Sequence, residues 1–122
     1  MKSAADLFVE AKARVPEVSA AATVARSVAT GAVGGTLVLI DVREDREWNL
    51  GHAAGAVHMS RGTLESKIDA VVPRDAEIVL YCASGNRSAL AAESLAQMGY
   101  AQVSSMAGGF RAWVDANGDV EG

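Results

Sequence analysis

The stretch AEIVLYCASGNRSALAAESLAQMGY, residues 76–100, joins a short apolar run to a helical pattern through a loop of small and polar residues. The apolar run, AEIVLYC (76–82), predicts a buried strand because it is short and continuous. The pattern that follows, NRSALAAESLAQMGY (86–100), predicts a helix because its alanine, leucine and methionine residues recur on one stripe. Gly99 supplies a C-cap for that helix. The stretch therefore predicts a strand, a loop and a helix in immediate succession.

The same alternation of strand and helix extends in both directions from this stretch. TLVLIDV (36–42) is a second buried strand, and shorter strands are predicted at 55–59 and 101–106. The main strands are continuously apolar rather than alternating, and helical segments separate them. Both features favour an α/β fold with a parallel sheet that helices cover on both faces. The intervening helices are predicted at 43–51, 61–72 and 111–118.

Two further helices are predicted before the first strand. Residues 3–14 form one, because Ser3 can cap it and Asp6 stands where a capping box places an acid. The second helix is rich in alanine and covers 19–29. The glycine-rich segment TGAVGG (30–35) is predicted to be a turn or a flexible joint.

The composition is that of one globular domain. The chain has 122 residues, of which 50% are hydrophobic and 21% are charged. Its formal charge of −4, without a basic stripe, does not predict nucleic-acid binding. No apolar run reaches the length of a membrane span. Charged residues interrupt the N-terminal segment where a secretory signal would be apolar, so we expect a cytoplasmic protein.

The numbers of cysteine and histidine residues bear on whether the chain forms a disulfide or binds a metal. The chain has one cysteine and two histidines. A single cysteine forms no internal disulfide, which suits a reducing compartment. These three residues are too few and too widely spaced for a metal centre, so we expect neither a metal nor a cofactor.

The loop after the strand at 76–82 is the predicted site of chemistry. Ligands of an open parallel sheet bind beyond the carboxyl ends of its strands, and Cys82 lies at such an end. The small residues at 83–85 let successive backbone amides converge where the next helix begins and its dipole is positive. Arg87 adds a positive charge nearby. Such surroundings lower the pKa of a thiol, so Cys82 is predicted to be a nucleophilic thiolate.

A second interpretation of this loop involves no chemistry. A lone cysteine at the end of an apolar strand is commonly a buried and inert side chain. The serine, glycine and asparagine residues of 84–88 could form only a turn and a helix cap. The combination of a cysteine, a turn, a cap and an arginine in strand-to-helix order favours the nucleophile.

Four motifs in order resemble the signatures of the rhodanese (thiosulfate sulfurtransferase-like) family, as a single-domain member. They are LIDVREDREWNLGHAAGAVHM (39–59), RGTLE (61–65), YCASGNRSALAAESLAQMGY (81–100) and MAGGFRAW (106–113). Each motif is weak alone, but four in the same order are specific, and the resemblance extends over most of the chain. The matching residues of the first motif are Asp41, Arg43, Glu44, Glu47, Gly51, His52 and Gly55.

The resemblance implies a rhodanese-like three-layer fold, with a central parallel sheet of about five strands flanked by helices on both faces. It implies that Cys82 takes a sulfane sulfur from thiosulfate or a similar anionic donor. The persulfide on Cys82 then passes that sulfur to a thiol or to cyanide in a ping-pong reaction. Arg87 would close the loop and help to bind the donor. The implied anion-binding loop comprises Ala83, Ser84, Gly85, Asn86, Arg87 and Ser88.

The length of the loop separates sulfur transfer from phosphate chemistry. Four residues separate Cys82 from Arg87, whereas phosphatases that share this fold have a loop one residue longer. The tighter loop fits one sulfur atom better than a tetrahedral phosphate. The spacing therefore favours sulfur transfer over phosphate or arsenate chemistry.

The resemblance leaves the first helix without a counterpart. We divide the chain into an N-terminal helical extension (1–17), a single rhodanese domain (18–118) and a tail (119–122). The extension leaves room for an alternative function, a persulfide carrier or binding module that a protein partner supplies in place of free thiosulfate. The expected partners are a small anionic sulfur donor, a thiol or cyanide acceptor and, in the alternative, a protein donor or acceptor. Neither nucleic acid nor a membrane is expected.

Two further residues are expected at the rim of the pocket. Arg61 follows the strand at 55–59 and is predicted either to help hold the donor or to be a solvated surface charge, paired with Glu65. Asp41 ends the strand at 36–42. The resemblance implies that Asp41 orders neighbouring loops rather than takes protons.

The remaining polar and aromatic side chains of interest are expected to be structural. Arg43 is predicted to pair with Glu44 or Glu47. Hydrogen-bonding or packing roles are expected for His52, His58, Trp48 and Trp113.

Overall fold

The computed structural model describes residues 1–29 and 37–122. The turn or joint predicted at 30–35 lies outside these residues. The helices are α1 (Ala4–Arg14), α2 (Ala20–Ala29), α3 (Asp45–Leu50), α4 (Leu64–Ile68), α5 (Asn86–Gln97) and α6 (Gly109–Asp115). The strands are β1 (Glu17–Val18), β2 (Leu37–Asp41), β3 (His52–Ala53), β4 (Val57–His58), β5 (Glu77–Tyr81), β6 (Gln102–Met106) and β7 (Val120–Glu121). Among the described helices, none has the length and apolar character needed to pass through a bilayer.

Five strands form one sheet in the order β1-β6-β5-β2-β4, and all neighbouring pairs are parallel. β5 lies at the centre. It pairs with β2 from Leu37 opposite Glu77 to Asp41 opposite Tyr81. This arrangement confirms the predicted parallel sheet. Because the strands run the same way, the ends of β2 and β5 meet at one edge, directly before Cys82.

Helices cover both faces of the sheet, as predicted. Ile78 and Leu80 of β5 point into the core beneath α1, α4 and α5. Val79 and Tyr81 alternate with them and point into the core beneath α2 and α6, which contains the buried Trp113. The apolar runs are therefore continuous because each central strand is buried on both sides.

The N-terminal segment packs on the domain. α1 begins at the predicted capping box, in which Ser3 and Asp6 each bond to the backbone of the other. It lies against α5, and Arg14 Nη1 donates to Glu93 Oε2 at 2.9 Å. β1 then forms an edge strand beside β6. β1 thus lies across the predicted boundary, with Glu17 at the end of the extension (1–17) and Val18 at the start of the domain (18–118).

The C-terminal end also contains a strand. The segment 119–122, predicted as a tail, includes β7, which pairs antiparallel with β3. The sequence does not reveal β1, β3 and β7, each of two residues, because so short a strand leaves little hydrophobic pattern. β4 also has two residues, but it lies within the longer segment predicted as a strand at 55–59. The helix predicted at 61–72 is also shorter, since α4 ends at Ile68. The domain boundaries at 18 and 118 stay predictions.

α6 begins directly against the loop that follows β5. The amide of Phe110 donates to the carbonyl oxygen of Cys82 at 2.7 Å. Gly109, with φ +60°, precedes it, and a Cβ atom there would lie 2.2 Å from the same oxygen. A glycine is therefore required for α6 to approach the loop this closely.

Gly109→Ala is expected to destabilise the protein by about 2–4 kcal/mol, because alanine resists the positive φ and overlaps the Cys82 carbonyl. Chemical denaturation measures this change in the free energy of unfolding. Gly62→Ala is the matched control, since an added Cβ there meets nothing within 4 Å. The control should stay within about 0.5 kcal/mol of the unsubstituted protein. Equal stability of the two variants would contradict the close approach.

Candidate active site

The loop between β5 and α5 turns sharply at Gly85. This glycine is the N-cap of α5 and has φ +99°, an angle that other residues adopt only at a cost. Ala83 and Ser84, which precede it, are exposed. The loop therefore places its backbone, rather than bulky side chains, around the cysteine.

Three polar groups converge on the sulfur of Cys82. The backbone amides of Gly85 and Ser88 donate to Sγ at 3.1 and 3.4 Å. The Ser88 hydroxyl oxygen lies 3.5 Å from Sγ. Only 1% of Cys82 is exposed. Of the six predicted loop residues, Gly85 and Ser88 make these hydrogen bonds to the sulfur, and the backbone amide of Ser84 acts on it in the same direction.

These contacts favour the thiolate form of Cys82. Burial alone raises the pKa of a thiol. Here the hydroxyl of Ser88 and the amides of Ser88, Ser84 and Gly85 outweigh burial, and the pKa of Cys82 is lowered. The positive end of the α5 dipole acts in the same direction. The cysteine is therefore buried, as the second interpretation expects, yet its hydrogen bonds favour the ionised form of the thiol.

Arg87 connects the loop to α3. Its guanidinium donates to both carboxylate oxygens of Glu47, at 2.9 and 3.2 Å. The hydrogen bonds from Arg87 hold the pKa of Glu47 below its usual range. Glu47 also accepts from the backbone amide of Glu44, which fixes the start of α3. The arginine predicted to close the loop is thus held in place by a carboxylate from a separate element.

Asp41 is fully buried and does not line an open rim. Its carboxylate accepts hydrogen bonds from the Arg43 backbone amide at 2.8 Å and from the Arg43 guanidinium at 2.9–3.1 Å. The Tyr81 hydroxyl donates to it at 2.5 Å. The prediction that Arg43 pairs with Glu44 or Glu47 is therefore wrong. Asp41, two residues away, reaches the guanidinium inside the core, while Glu47 turns to Arg87.

This buried group joins the ends of several elements. Arg43 Nη2 donates to the carbonyl oxygen of Gly51 at 2.6 Å, at the end of α3. The backbone amide of Ala53 in β3 donates to the Tyr81 hydroxyl at 3.0 Å. The guanidinium also lies over the ring of Phe110 in α6, 4.3 Å from its centroid. Burial and the hydrogen bond to Asp41 raise the pKa of Tyr81, so the phenol stays protonated.

Arg61 is held by two neighbouring helices. Nη1 donates to Glu65 of α4 at 2.7 Å, which confirms the predicted pair, and Nη2 donates to Ser94 of α5 at 3.2 Å. Its backbone amide donates to the Val42 carbonyl at 3.0 Å, close to the end of β2. The role of Arg61 in binding a donor stays a prediction.

The two histidines make the hydrogen bonds expected of structural residues. His52 Nδ1 lies 3.0 Å from the Trp48 carbonyl, and His58 Nε2 lies 2.9 Å from the Arg43 carbonyl. The Trp48 ring stacks on His52, with centroids 3.4 Å apart, and on His58 at 4.9 Å. These contacts fix the segment between α3 and β4.

The structure adds residues that sequence reasoning did not assign to the site. The sequence gives Glu47 as a motif residue and a predicted partner of Arg43, but does not connect it with Arg87. It assigns no role to Ser105, whose hydroxyl lies 2.8 Å from that of Ser88. A serine in the short strand at 101–106 was the available signal, because a buried hydroxyl needs a partner.

Fold and site together define a class: a parallel α/β domain with a hydrogen-bonded cysteine loop at the end of its central strand. The sequence matches the family model of the Rhodanese-like domain over residues 22–116, and the chain belongs to this family. The match confirms the resemblance seen in the four sequence motifs.

Solved structures share this architecture. A protein of unknown function from Rhodopseudomonas palustris CGA009, called a possible tyrosine phosphatase, is 32% identical with a TM-score of 0.87, covering 99% of this chain and 96% of that one. A rhodanese-like domain from Anabaena sp. is 26% identical with a TM-score of 0.79, covering 88% and 79%. A thiosulfate sulfurtransferase from Pseudomonas aeruginosa is 29% identical with a TM-score of 0.76, covering 87% of this chain and 20% of that chain. These neighbours confirm the rhodanese-like fold.

Asp41→Asn is expected to lower the free energy of unfolding by roughly 3–5 kcal/mol, because it leaves the buried Arg43 guanidinium without its counter-charge. Thermal or chemical denaturation measures the loss. Asp115→Asn, an exposed substitution on α6, is the control and should change stability by less than about 0.5 kcal/mol. If both variants unfold at the same denaturant concentration, Asp41 does not have the structural role assigned to it.

Proposed function

We propose that this protein is a sulfurtransferase that moves a sulfane sulfur from thiosulfate, or a similar anionic donor, to a thiol acceptor or cyanide. The observation that carries the proposal is the convergence of two amides and a hydroxyl on Cys82 Sγ. This arrangement stabilises a thiolate, and it provides donors for the negative charge of a persulfide. Membership of the rhodanese-like family supports the same reaction class.

The reaction proceeds in two displacement steps. In the first, the Cys82 thiolate attacks the outer sulfur of thiosulfate. A bond forms between the two sulfurs, the sulfur–sulfur bond of the donor breaks, and sulfite leaves with its electron pair. In the second, an acceptor thiolate or cyanide attacks the terminal sulfur, and Cys82 leaves as the thiolate. Because Cys82 enters and leaves ionised, neither step requires a separate general base.

Arg87 has two roles in this proposal. Its ion pair with Glu47 holds the start of α5 against α3 and so maintains the loop. Its guanidinium also supplies positive charge near Cys82 that favours an anionic donor. A donor anion competes with Glu47 for the same guanidinium, so Glu47 sets how freely Arg87 can turn to the substrate.

An alternative form of the same chemistry is a persulfide carrier that a protein partner loads. The observation in its favour is α1, all of which precedes the match with the family model. Leu7 and Val9 of this helix are exposed apolar side chains. The carrier differs from the enzyme in one respect: free thiosulfate would not load Cys82 at ordinary concentrations.

Phosphatase activity is the competing chemistry, because a similar structure carries that description. Four residues separate Cys82 from Arg87. With Sγ already contacted by the amides of Gly85 and Ser88, this loop is small for a tetrahedral phosphate. The spacing therefore supports sulfur transfer.

The proposed reaction also supports a cytoplasmic location, because the single cysteine must stay reduced.

Incubation with thiosulfate is expected to increase the intact mass of the protein by one sulfur atom, and cyanide should remove it. Mass spectrometry before and after cyanide measures both steps. Cys82→Ser should show no gain, because it lacks the nucleophile. The matched control is Ser84→Ala, an exposed loop substitution that keeps the cysteine and should still load.

The other outcomes distinguish the alternatives. A thiol that alkylates readily but gains no sulfur from thiosulfate would indicate the protein-fed carrier. Hydrolysis of p-nitrophenyl phosphate that depends on Cys82, with no sulfur loading from any donor, would contradict the proposal. Failure of both alkylation and loading would mean that Cys82 is an inert core residue.

Arg87→Ala is expected to lower kcat/KM for thiosulfate by about tenfold, mainly through KM, because the donor loses a charge-assisted contact. Glu47→Gln should act in the opposite direction and lower KM, since it frees Arg87 from its carboxylate. Steady-state kinetics with cyanide as acceptor measure both. Arg14→Ala, which removes another arginine paired with a glutamate, is the control and should leave KM unchanged. Unchanged donor dependence in Arg87→Ala would remove Arg87 from the site.

A further inference from the structure

A second buried hydroxyl lies behind the one that touches the sulfur. Ser105 of β6 and Ser88 of α5 are both fully buried, and their hydroxyl oxygens are 2.8 Å apart. Ser88 in turn lies 3.5 Å from Cys82 Sγ. The three side chains form a row from β6 through α5 to the nucleophile, although Ser105 follows Cys82 by more than twenty residues.

The partners of Ser105 determine the direction of this row. Within the described residues, the Ser105 hydroxyl has a hydrogen bond to Ser88 and to no other group. When Cys82 is a thiolate, Ser105 can donate to Ser88 and Ser88 to Sγ, so both hydroxyl hydrogens have an acceptor. When Cys82 is a neutral thiol that donates to Ser88, Ser88 donates to Ser105, and the Ser105 hydrogen points into the core without an acceptor, which costs free energy. The complete arrangement is the one in which the sulfur accepts.

We propose that Ser105 is a positioning residue for sulfur transfer, which holds the Ser88 hydroxyl as a donor to Cys82 Sγ. It thereby favours the thiolate that attacks the sulfur donor. It also favours the same thiolate when Cys82 leaves the persulfide in the second step. No proton is transferred along the row; the two hydroxyls keep their hydrogens and only their orientation is fixed. This inference rests on the proposed role of Cys82 as the nucleophile.

The charged groups near the sulfur do not lie on β6, so the role of Ser105 can be tested without changing them. Arg87 of α5 is the cation that interacts with Cys82. Two acids lie near Arg87: Glu47 of α3, and Glu44, the N-cap of that helix. β6, residues Gln102–Met106, has no ionisable side chain. A substitution in β6 therefore changes a hydroxyl without changing any charge that faces the cysteine.

The experiment measures the pH dependence of Cys82 alkylation by iodoacetamide, together with the thiolate absorbance in the ultraviolet. Ser105→Ala is expected to raise the midpoint by about 0.5 pH unit and to slow alkylation roughly threefold below the midpoint. Ser104→Ala, the neighbouring serine in β6, is the matched control and should leave the midpoint unchanged. No shift in Ser105→Ala would overturn the inference.

A double variant tests whether Ser105 acts through Ser88. Ser88→Ala should raise the midpoint by about one pH unit or more, since it removes the direct contact. Adding Ser105→Ala to it should produce no further shift, because the second hydroxyl no longer reaches the sulfur. Shifts that add in the double variant would contradict a row of hydroxyls.

A pair of variants of equal shape separates hydrogen bonding from packing. Ser105→Thr keeps the hydroxyl and should keep the midpoint, whereas Ser105→Val lacks it and should behave like Ser105→Ala. Equal midpoints for the threonine and valine variants would overturn the inference even if Ser105→Ala failed to fold.

A failure of the proposed function gives a different result from a failure of this inference. Cys82 of the unsubstituted protein would then titrate at or above the value of a free cysteine, about 8.5.

Discussion

The buried carboxylate of Asp41 is the interaction on which the rest of the site depends. It ends β2, accepts the Tyr81 hydroxyl at the end of β5 and neutralises Arg43, whose guanidinium extends to Gly51 and the ring of Phe110. A charge without exposed surface is tolerated only with a complete set of partners, so these elements are fixed relative to one another. Cys82 follows Tyr81 directly in the chain, so the contacts that fix Tyr81 also fix the position of the cysteine.

The candidate active-site loop is built from parts that are distant in the sequence. Its backbone comes from the turn at Gly85, but the approach of Gly109 closes it from the side of α6, and Glu47 holds Arg87 from the side of α3. Ser105 contributes from β6, beneath the sulfur. Together they place the buried thiol beside two backbone amides and a hydroxyl.

Sequence reasoning succeeded where the pattern is local. The strand, turn and helix around Cys82 are contiguous, so the loop could be located, and the continuous apolar runs indicated the covered parallel sheet. It failed where the partner lies far along the chain. The sequence predicts a pair between Arg43 and Glu44 or Glu47, because nothing in the sequence reveals that Asp41 turns inward. Ser105 carries no distinguishing spacing at all, and its role depends on how closely β6 approaches α5.

The two outer strands of the sheet, β1 and β4, have only two residues each. A long open edge would offer its free amides and carbonyls to another chain, and apolar central strands such as β2 and β5 would add an adhesive surface. Here Pro16 precedes β1 and the exposed Glu17 begins it, two features that discourage further pairing. The sheet thus combines hydrophobic central strands with very short edge strands. This arrangement protects the folded protein against aggregation through strand pairing.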